Sequence, residues 1–287
     1  MTEKTCIIIS GPTAVGKTTY GIELAQKYHT QIISADSRQC FKELNIGVAK
    51  PSEKQLEIVK HYFINSHSIH EEVNSKIFEE YALKQVNKIF EDNDIAIMVG
   101  GTGLYIKAFC EGLDEIPAVD AKIRKEINEQ FSKNGLSWLR HEIEMHDALF
   151  FLKGEMQNPQ RMLRALEVKL STGKSILDFH SRKKVNRNFT IKNIVLELPR
   201  EQLYSNISYR VDEMMKEGLL QEAENLFQYR HLNALQTVGY KELFNYMEGK
   251  ISLTGAIEEI KKNTRHFAKR QITWFKKAIS TSTTGDP

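Results

Sequence analysis

Apolar residues in the first third of the chain fall in short unbroken runs: residues 6–9 (Cys-Ile-Ile-Ile), 31–35, a stretch around 62–64, and 95–99 (Ile-Ala-Ile-Met-Val). Runs of this length without polar alternation predict strands buried on both faces. Between them the spacing changes to that of helices, through residue 28 and again over 74–92, where Ile77, Phe78, Tyr81, Val86, Ile89 and Phe90 recur on one face. Strands alternating with helices predict a parallel sheet covered on both sides. From about residue 113 the pattern is helix after helix, with 123–131, 136–146 and 160–172 as candidates and no strand among them. Residues 191–198 form one more apolar run before Pro199, which returns the chain to the sheet. Residues 201–277 are helical in pattern, and 280–287 have the composition of a frayed tail.

The expected division is therefore a core made of 1–112 and 184–287, interrupted by an inserted helical domain at 113–183. At 287 residues, 41% hydrophobic and 27% charged, the chain has the balance of a soluble globular protein. No apolar run is long enough to span a bilayer, and residues 7–9 are too short for a signal-peptide core. Cys6, Cys40 and Cys110 lack metal-ligand spacing and read as reduced thiols. The histidines His61, His67 and His70 have no acid partner at ligand spacing, so a cytoplasmic protein without a zinc site is expected. Net charge is only +3, but Arg182, Lys183, Lys184 and Arg187 cluster, as do cations over 261–277. Such clusters fit either phosphate-backbone binding or a solvated helix face.

Gly11-Pro12-Thr13-Ala14-Val15-Gly16-Lys17-Thr18 matches G-x-x-x-x-G-K-[ST] and lies between a predicted strand and helix. In that context glycines let the backbone wrap a phosphate, Lys17 supplies a positive charge, and the Thr18 hydroxyl can hold magnesium. The fold class expected is therefore α/β, a P-loop NTPase-like parallel sheet core with an inserted helical domain and a helical C-terminal region. Nucleotide-hydrolysing P-loops hold magnesium partly through an acid at the end of a second strand. Here residues 95–99 run instead into Gly100-Gly101-Thr102-Gly103. Asp36 is the only acid in a comparable place, where it fits either chemistry or a turn that ends the strand.

The P-loop, Asp36-Ser37-Arg38-Gln39 with Gly47-Val48-Ala49-Lys50-Pro51 behind it, and Gly100-Gly101-Thr102-Gly103-Leu104-Tyr105 together resemble the tRNA dimethylallyltransferase family. So do residues 158–167, Val238-Gly239-Tyr240-Lys241-Glu242 and residues 269–275, in the same order. Val15, Cys40-Phe41 and His266 depart from the usual pattern. The resemblance implies that residues Gly11 to Thr18 bind the diphosphate of dimethylallyl diphosphate rather than ATP, with Mg2+ on Thr18. It implies Asp36 as general base toward an adenine amine in the anticodon stem-loop of tRNA, and Lys17, Thr18 and Arg210 as catalytic partners that neutralise the leaving diphosphate. For Arg210 a solvated helix position is the competing reading.

It further implies tRNA contacts at Asp36, Ser37, Arg38, Gln39, Thr102, Arg124, Gln160, Arg161, Met162, Leu163, Arg164, Gly239, Tyr240, Lys241, Lys269 and Arg270. Helical spacing puts Gln160 and Arg164 on one face with Arg161 beside it. Phe267, Trp274 and Phe275 are read mainly as packing residues, and the cations among them as RNA contacts. The protein is expected to act as a monomer. Three rival classes remain: prenyl transfer to free adenine nucleotides, a P-loop kinase, and an RNA-binding ATPase. The helical insertion and basic C-terminus disfavour the first, and the missing strand-end acid disfavours the other two.

Overall fold

The computed structural model describes residues 3–181 and 183–282, with side chains to residue 277. Arg182 of the expected basic cluster and residues 283–287 of the expected tail lie outside the described residues. The chain divides into two compact units, one containing residues up to 110 and from 186 onward, the other residues 111–185.

In the first unit, β1 (Thr5–Ser10) leads through the P-loop to α1 (Lys17–Lys27), then β2 (Ile32–Ala35), α2 (Glu53–Ile58) and β3 (His61–Tyr62). Helix α3 (Ser75–Asp92), β4 (Ile95–Gly100) and α4 (Gly103–Glu111) complete its first part. The sheet is parallel throughout, in the order β3-β2-β4-β1-β5, where β5 is Thr190–Val195. Both faces are covered, as the continuous apolar runs demand. Cys6, Ile8, Ile33, Ala96 and Met98 face one layer with Phe78 and Val86 of α3, while Ile9, Ile32, Ile97 and Val99 face Ile22 and Ala25 of α1. Complete burial of such aliphatic side chains contributes roughly 1.5–3 kcal/mol each. Because all five strands run the same way, the segments following β1, β2 and β4 emerge at one edge, where open α/β sheets collect their ligands.

The second unit holds α5 (Ala121–His146), α6 (Ala148–Lys153) and α7 (Pro159–Thr172). The break expected between 131 and 136 falls at Gly135, whose φ of 70° interrupts α5. Its core joins Ile127, Leu139, Ile143, Phe150, Met162 and Leu166. Helix α7 starts on an Asn158 cap that accepts from the Gln160 and Arg161 amides, with Pro159 in the first turn.

After β5 the first unit resumes with α8 (Arg200–Lys216), α9 (Leu219–Leu226), α10 (Tyr240–Met247) and α11 (Leu253–Ser282). Helix α11 continues through Ser282, two residues past the start of the expected tail. Among the described residues six short elements escaped the reading of the sequence as separate features: α2, α6 and the 3-10 turns Ile46–Val48, Ile176–Phe179, Phe227–Tyr229 and Asn233–Leu235. At six residues or fewer, none offers enough turns for a periodic apolar stripe to stand out.

Candidate active site

The P-loop bends through backbone conformations that only its composition permits cheaply. Gly16 has φ 98°, which a side chain would strain, and even Ala14 sits at φ 64°. Helix α1 begins at Lys17, so its unpaired first-turn amides and positive dipole end face the same space. The Lys17 ammonium donates to the carbonyls of Gly11 (3.0 Å) and Pro12 (2.7 Å), folding back over the loop. Burial lowers its pKa to about 8; the charge of Asp36 opposes that shift and the charge of Arg210 adds to it. Two side chains from distant elements fix the loop. Asn206 of α8 donates to the Ala14 carbonyl (3.2 Å). Gln271 of α11, 7% exposed, accepts from the Thr13 amide (2.8 Å) and donates to the Gly101 carbonyl (2.9 Å).

Asp36 follows β2 directly. Its Oδ1 accepts from the amides of Arg38 (2.8 Å) and Gln39 (3.2 Å), so it caps the turn it begins. Thr102 ties this turn to the end of β4: its Oγ1 accepts from the Ser37 amide (3.1 Å) and its own amide donates to Ala35 (3.2 Å). Gln39 donates to the carbonyls of Val48 (3.3 Å) and Ala49 (2.9 Å) and so joins the turn to the 46–49 segment.

Two cavities flank Asp36. One, about 830 Å³, is lined by the P-loop with Lys17 and Thr18, and by Lys50 and Arg210. The other, about 920 Å³, is lined by Ser37, Arg38, Thr102, Gly239, Lys241 and Arg270. Asp36, Val48, Ala49, Arg210 and Phe267 line both. Burial pushes the Arg210 guanidinium below its usual value, and Arg38 likewise against the pull of Asp36. Among the described residues neither arginine forms an ion pair. Desolvated cations with no carboxylate in ion-pair contact are costly unless an anionic ligand completes them. The site thus offers one phosphate cradle, one carboxylate and two waiting guanidinium groups. It can neutralise a polyanion on one side of Asp36 and accept a proton on the other.

A model of the IPP transferase family matches residues 39–278. The chain belongs to that family. A tRNA dimethylallyltransferase of Flavobacterium johnsoniae is 48% identical over 284 residues, 97% of this chain and 92% of the relative. One from Bacteroides thetaiotaomicron is 41% identical over 95% of this chain and 89% of its own. Among solved structures, the full-length tRNA isopentenylpyrophosphate transferase of Bacillus halodurans superposes with a TM-score of 0.67 at 32% identity, covering 96% of this chain and 87% of that one. A eukaryotic dimethylallyltransferase captured acting on tRNA superposes with a TM-score of 0.77 at 28% identity, over 94% of this chain and 69% of that one.

In this IPP transferase chain the expected contact residues separate into three groups. Asp36, Ser37, Arg38, Thr102, Gly239, Lys241 and Arg270 line the second cavity, Gln39 lines the first instead, and Lys269 is exposed on α11. Gln160, Arg161, Arg164 and Arg124 belong to the second unit, where the arginines are already engaged. Arg124 and Arg164 each lie 3.4 Å from Glu167, and Arg161 lies 3.6 Å from Glu155. The third group corrects the expectation. Met162 and Leu163 are 0% and 5% exposed, because they occupy the inward face of α7; their side chains are core and offer RNA no surface. Tyr240 is fully buried as well, with its hydroxyl 2.6 Å from Glu222.

Phe267 is a correction in the opposite sense. Read as packing, it is instead 40% exposed, borders both cavities and lies 5.7 Å from the Arg270 guanidinium. Trp274 and Phe275 do pack: Phe275 is buried, and Trp274 covers Gly103 so closely that a Cβ there would lie 2.3 Å from the indole. Gln271 and Glu222 were not singled out. Gln271 stood inside a quoted motif, where a polar residue following two cations signalled nothing, and Glu222 had no signal at all.

Proposed function

We propose that this chain is a tRNA dimethylallyltransferase, which moves the dimethylallyl group of dimethylallyl diphosphate to the N6 amine of the adenosine 3′ of the anticodon and releases diphosphate. The observation that carries this reading is Asp36 on the wall common to a phosphate-cradling cavity and a second, cation-lined cavity. The P-loop amides, Lys17 and Arg210 bind the diphosphate and offset the charge that grows on it as the bond from C1 to oxygen breaks. The adenine amine attacks C1 from the other side, and its proton passes to the Asp36 carboxylate as the N–C bond forms. Walls of protein around both reactants keep water from the allylic carbon. Thr18 borders the first cavity and presents a hard hydroxyl oxygen that could hold a Mg2+ ion. Held there, the ion would supply additional positive charge against the leaving diphosphate.

RNA contact is assigned to Arg38, Thr102, Lys241, Lys269 and Arg270 of the first unit and to Gln160, Arg161 and Arg164 of the second. Among the described residues no helix is long and apolar enough to cross a membrane, and we place the activity in the cytoplasm, carried by a monomer. Labelled dimethylallyl diphosphate incubated with unmodified tRNA, AMP or ATP tests the reading. Label is expected in tRNA alone. Transfer to AMP or ATP in preference to tRNA would replace the acceptor, and turnover of ATP without transfer would restore a kinase or ATPase.

A further inference from the structure

The segment 45–49 forms part of the wall between the two cavities through Val48 and Ala49, yet no strand or long helix holds it. Besides Gln39, which holds its later carbonyls, its support comes from one side chain far away in sequence. Glu222 of α9 accepts hydrogen bonds from the amides of Asn45 (3.2 Å) and Ile46 (2.8 Å) on Oε2, and from Gly47 (2.9 Å) on Oε1. A 3-10 turn exposes unpaired amides at its start, and a carboxylate there satisfies them with charge-assisted bonds about twice as strong as neutral ones. The fourth donor is the Tyr240 hydroxyl, 2.6 Å from Oε1. Burial first, and the Glu222 charge second, push the Tyr240 phenol up, so it remains a donor. Its ring lies flush on Gly47, where a Cβ would stand 2.6 Å from Cζ. The motif around Gly239 and Tyr240 thereby acquires a structural use inside the first unit.

The consequence reaches Asp36 through hydrogen bonds joined by the covalent backbone of 47–49 and by Gln39 itself. Glu222 holds 45–47; the next two carbonyls, of Val48 and Ala49, accept from Gln39; and the Gln39 amide donates to Asp36. We propose that Glu222, braced by Tyr240, is a positioning residue for the proposed transfer: it sets the 45–49 wall and, through Gln39, the aim of the Asp36 carboxylate. This assignment rests on the transferase reading. Glu222 itself is outside the lining of both cavities, so its effect must pass through the wall.

Glu222→Gln is the decisive variant, because an amide nitrogen must then face a backbone donor. Misplacement of a reacting group by about 1 Å can cost on the order of a hundredfold in rate. Single-turnover transfer at saturating tRNA and donor is expected to fall at least tenfold, while the Kd of inorganic diphosphate stays within twofold, since the P-loop is held by Asn206 and Gln271. Tyr240→Phe removes one of the four bonds and should cost about threefold, a smaller effect in the same direction, which keeps the test open if Glu222→Gln folds poorly. Hydrogen exchange requires no activity: amides of 36–50 should exchange faster in both variants, with 5–18 unchanged. Rates within twofold of the parent in both variants would overturn the proposal, as would loss of diphosphate binding in step with rate. If exchange responds as expected but the parent itself transfers nothing to tRNA, it is the transferase reading that falls, and the bracing of the wall stands.

Discussion

The cavity of the first unit and the polar face of the second use arginine in opposite ways. Arg38 and Arg210 are desolvated beside the cavities and, among the described residues, form no ion pair. Arg124 and Arg164 share the buried Glu167, and Arg161 faces Glu155. A half-buried cation with no carboxylate in ion-pair contact destabilises the free protein, and an arriving anion offsets that cost. An arginine already paired has half-exposed alternatives and gains less from a phosphate. The cavity is therefore poised to receive an anion, whereas any RNA contact by the insertion face would require its arginines to exchange partners.

The sharpest way to break this comparison is at the carboxylate between the cavities. Asp36→Asn retains an Oδ1 that can accept from Arg38 and Gln39, so the turn survives while the proton acceptor is lost. A positioned base contributes about 10²–10⁴ in rate, and single-turnover transfer should fall by that order with tRNA affinity kept. A rate within a few-fold of the parent would make Asp36 a turn cap and nothing more.

The next effect concerns Lys17 and Arg210. Replacing Arg210 with Ala removes a charge-assisted contact, a loss of about 1.5–3 kcal/mol or roughly 10- to 150-fold in diphosphate affinity, with tRNA affinity little changed. Lys17 adds a pH signature of definite sign. Its pKa in the free protein is about 8, below the usual lysine value. Below pH 8 the ammonium is present and binding is strongest. Above pH 8 the free protein must first take up a proton, so diphosphate affinity should fall by up to about tenfold per pH unit until the pKa of the complex is passed. Calorimetry from pH 7 to 9.5, with Lys17→Ala as the baseline for the titration of diphosphate itself, reads this directly. A slope identical in the two proteins would mean that Lys17 carries no part of the binding.

Much of this was legible because it is local. Continuous apolar runs announced β1, β2 and β4, since a strand buried on both faces leaves no polar position to confuse the pattern, whereas β5 is an edge strand with Lys192 and Asn193 exposed. The P-loop was legible because its eight residues are consecutive and their spacing is the chemistry. What stayed hidden acts across the chain. Gln271 reaches Thr13 over 258 positions and Glu222 reaches the 45–47 amides over 175 to 177. A glutamine or glutamate on an amphipathic helix reads as solvated until tertiary structure brings the unsatisfied amides to it. Met162 and Leu163 failed for the converse reason: a motif read as a contiguous surface lies on a helix, whose successive side chains point in different directions.

The smallest expected effect tests the second half of the comparison. If Arg161 and Arg164 meet phosphates in the complex, each must leave or share its carboxylate, so their gain is the difference between two ion pairs. Replacing both with Ala should then weaken tRNA binding by only about three- to tenfold at low salt. Counterion release predicts a more telling change: each lost phosphate contact lowers the slope of log affinity against log salt by roughly 0.7–0.9, so the double variant should lose between one and two units of slope. Diphosphate binding should be unaltered, because neither residue lines a cavity of the first unit. Glu167 remains paired with Arg124 in this variant, which protects the fold from a stranded buried carboxylate. An unchanged slope with unchanged affinity would mean that Arg161 and Arg164 serve only the ion pairs seen in the insertion. A loss larger than a hundredfold would mean that pairing had not weakened them, and that the two regions present arginine to their ligands on equal terms.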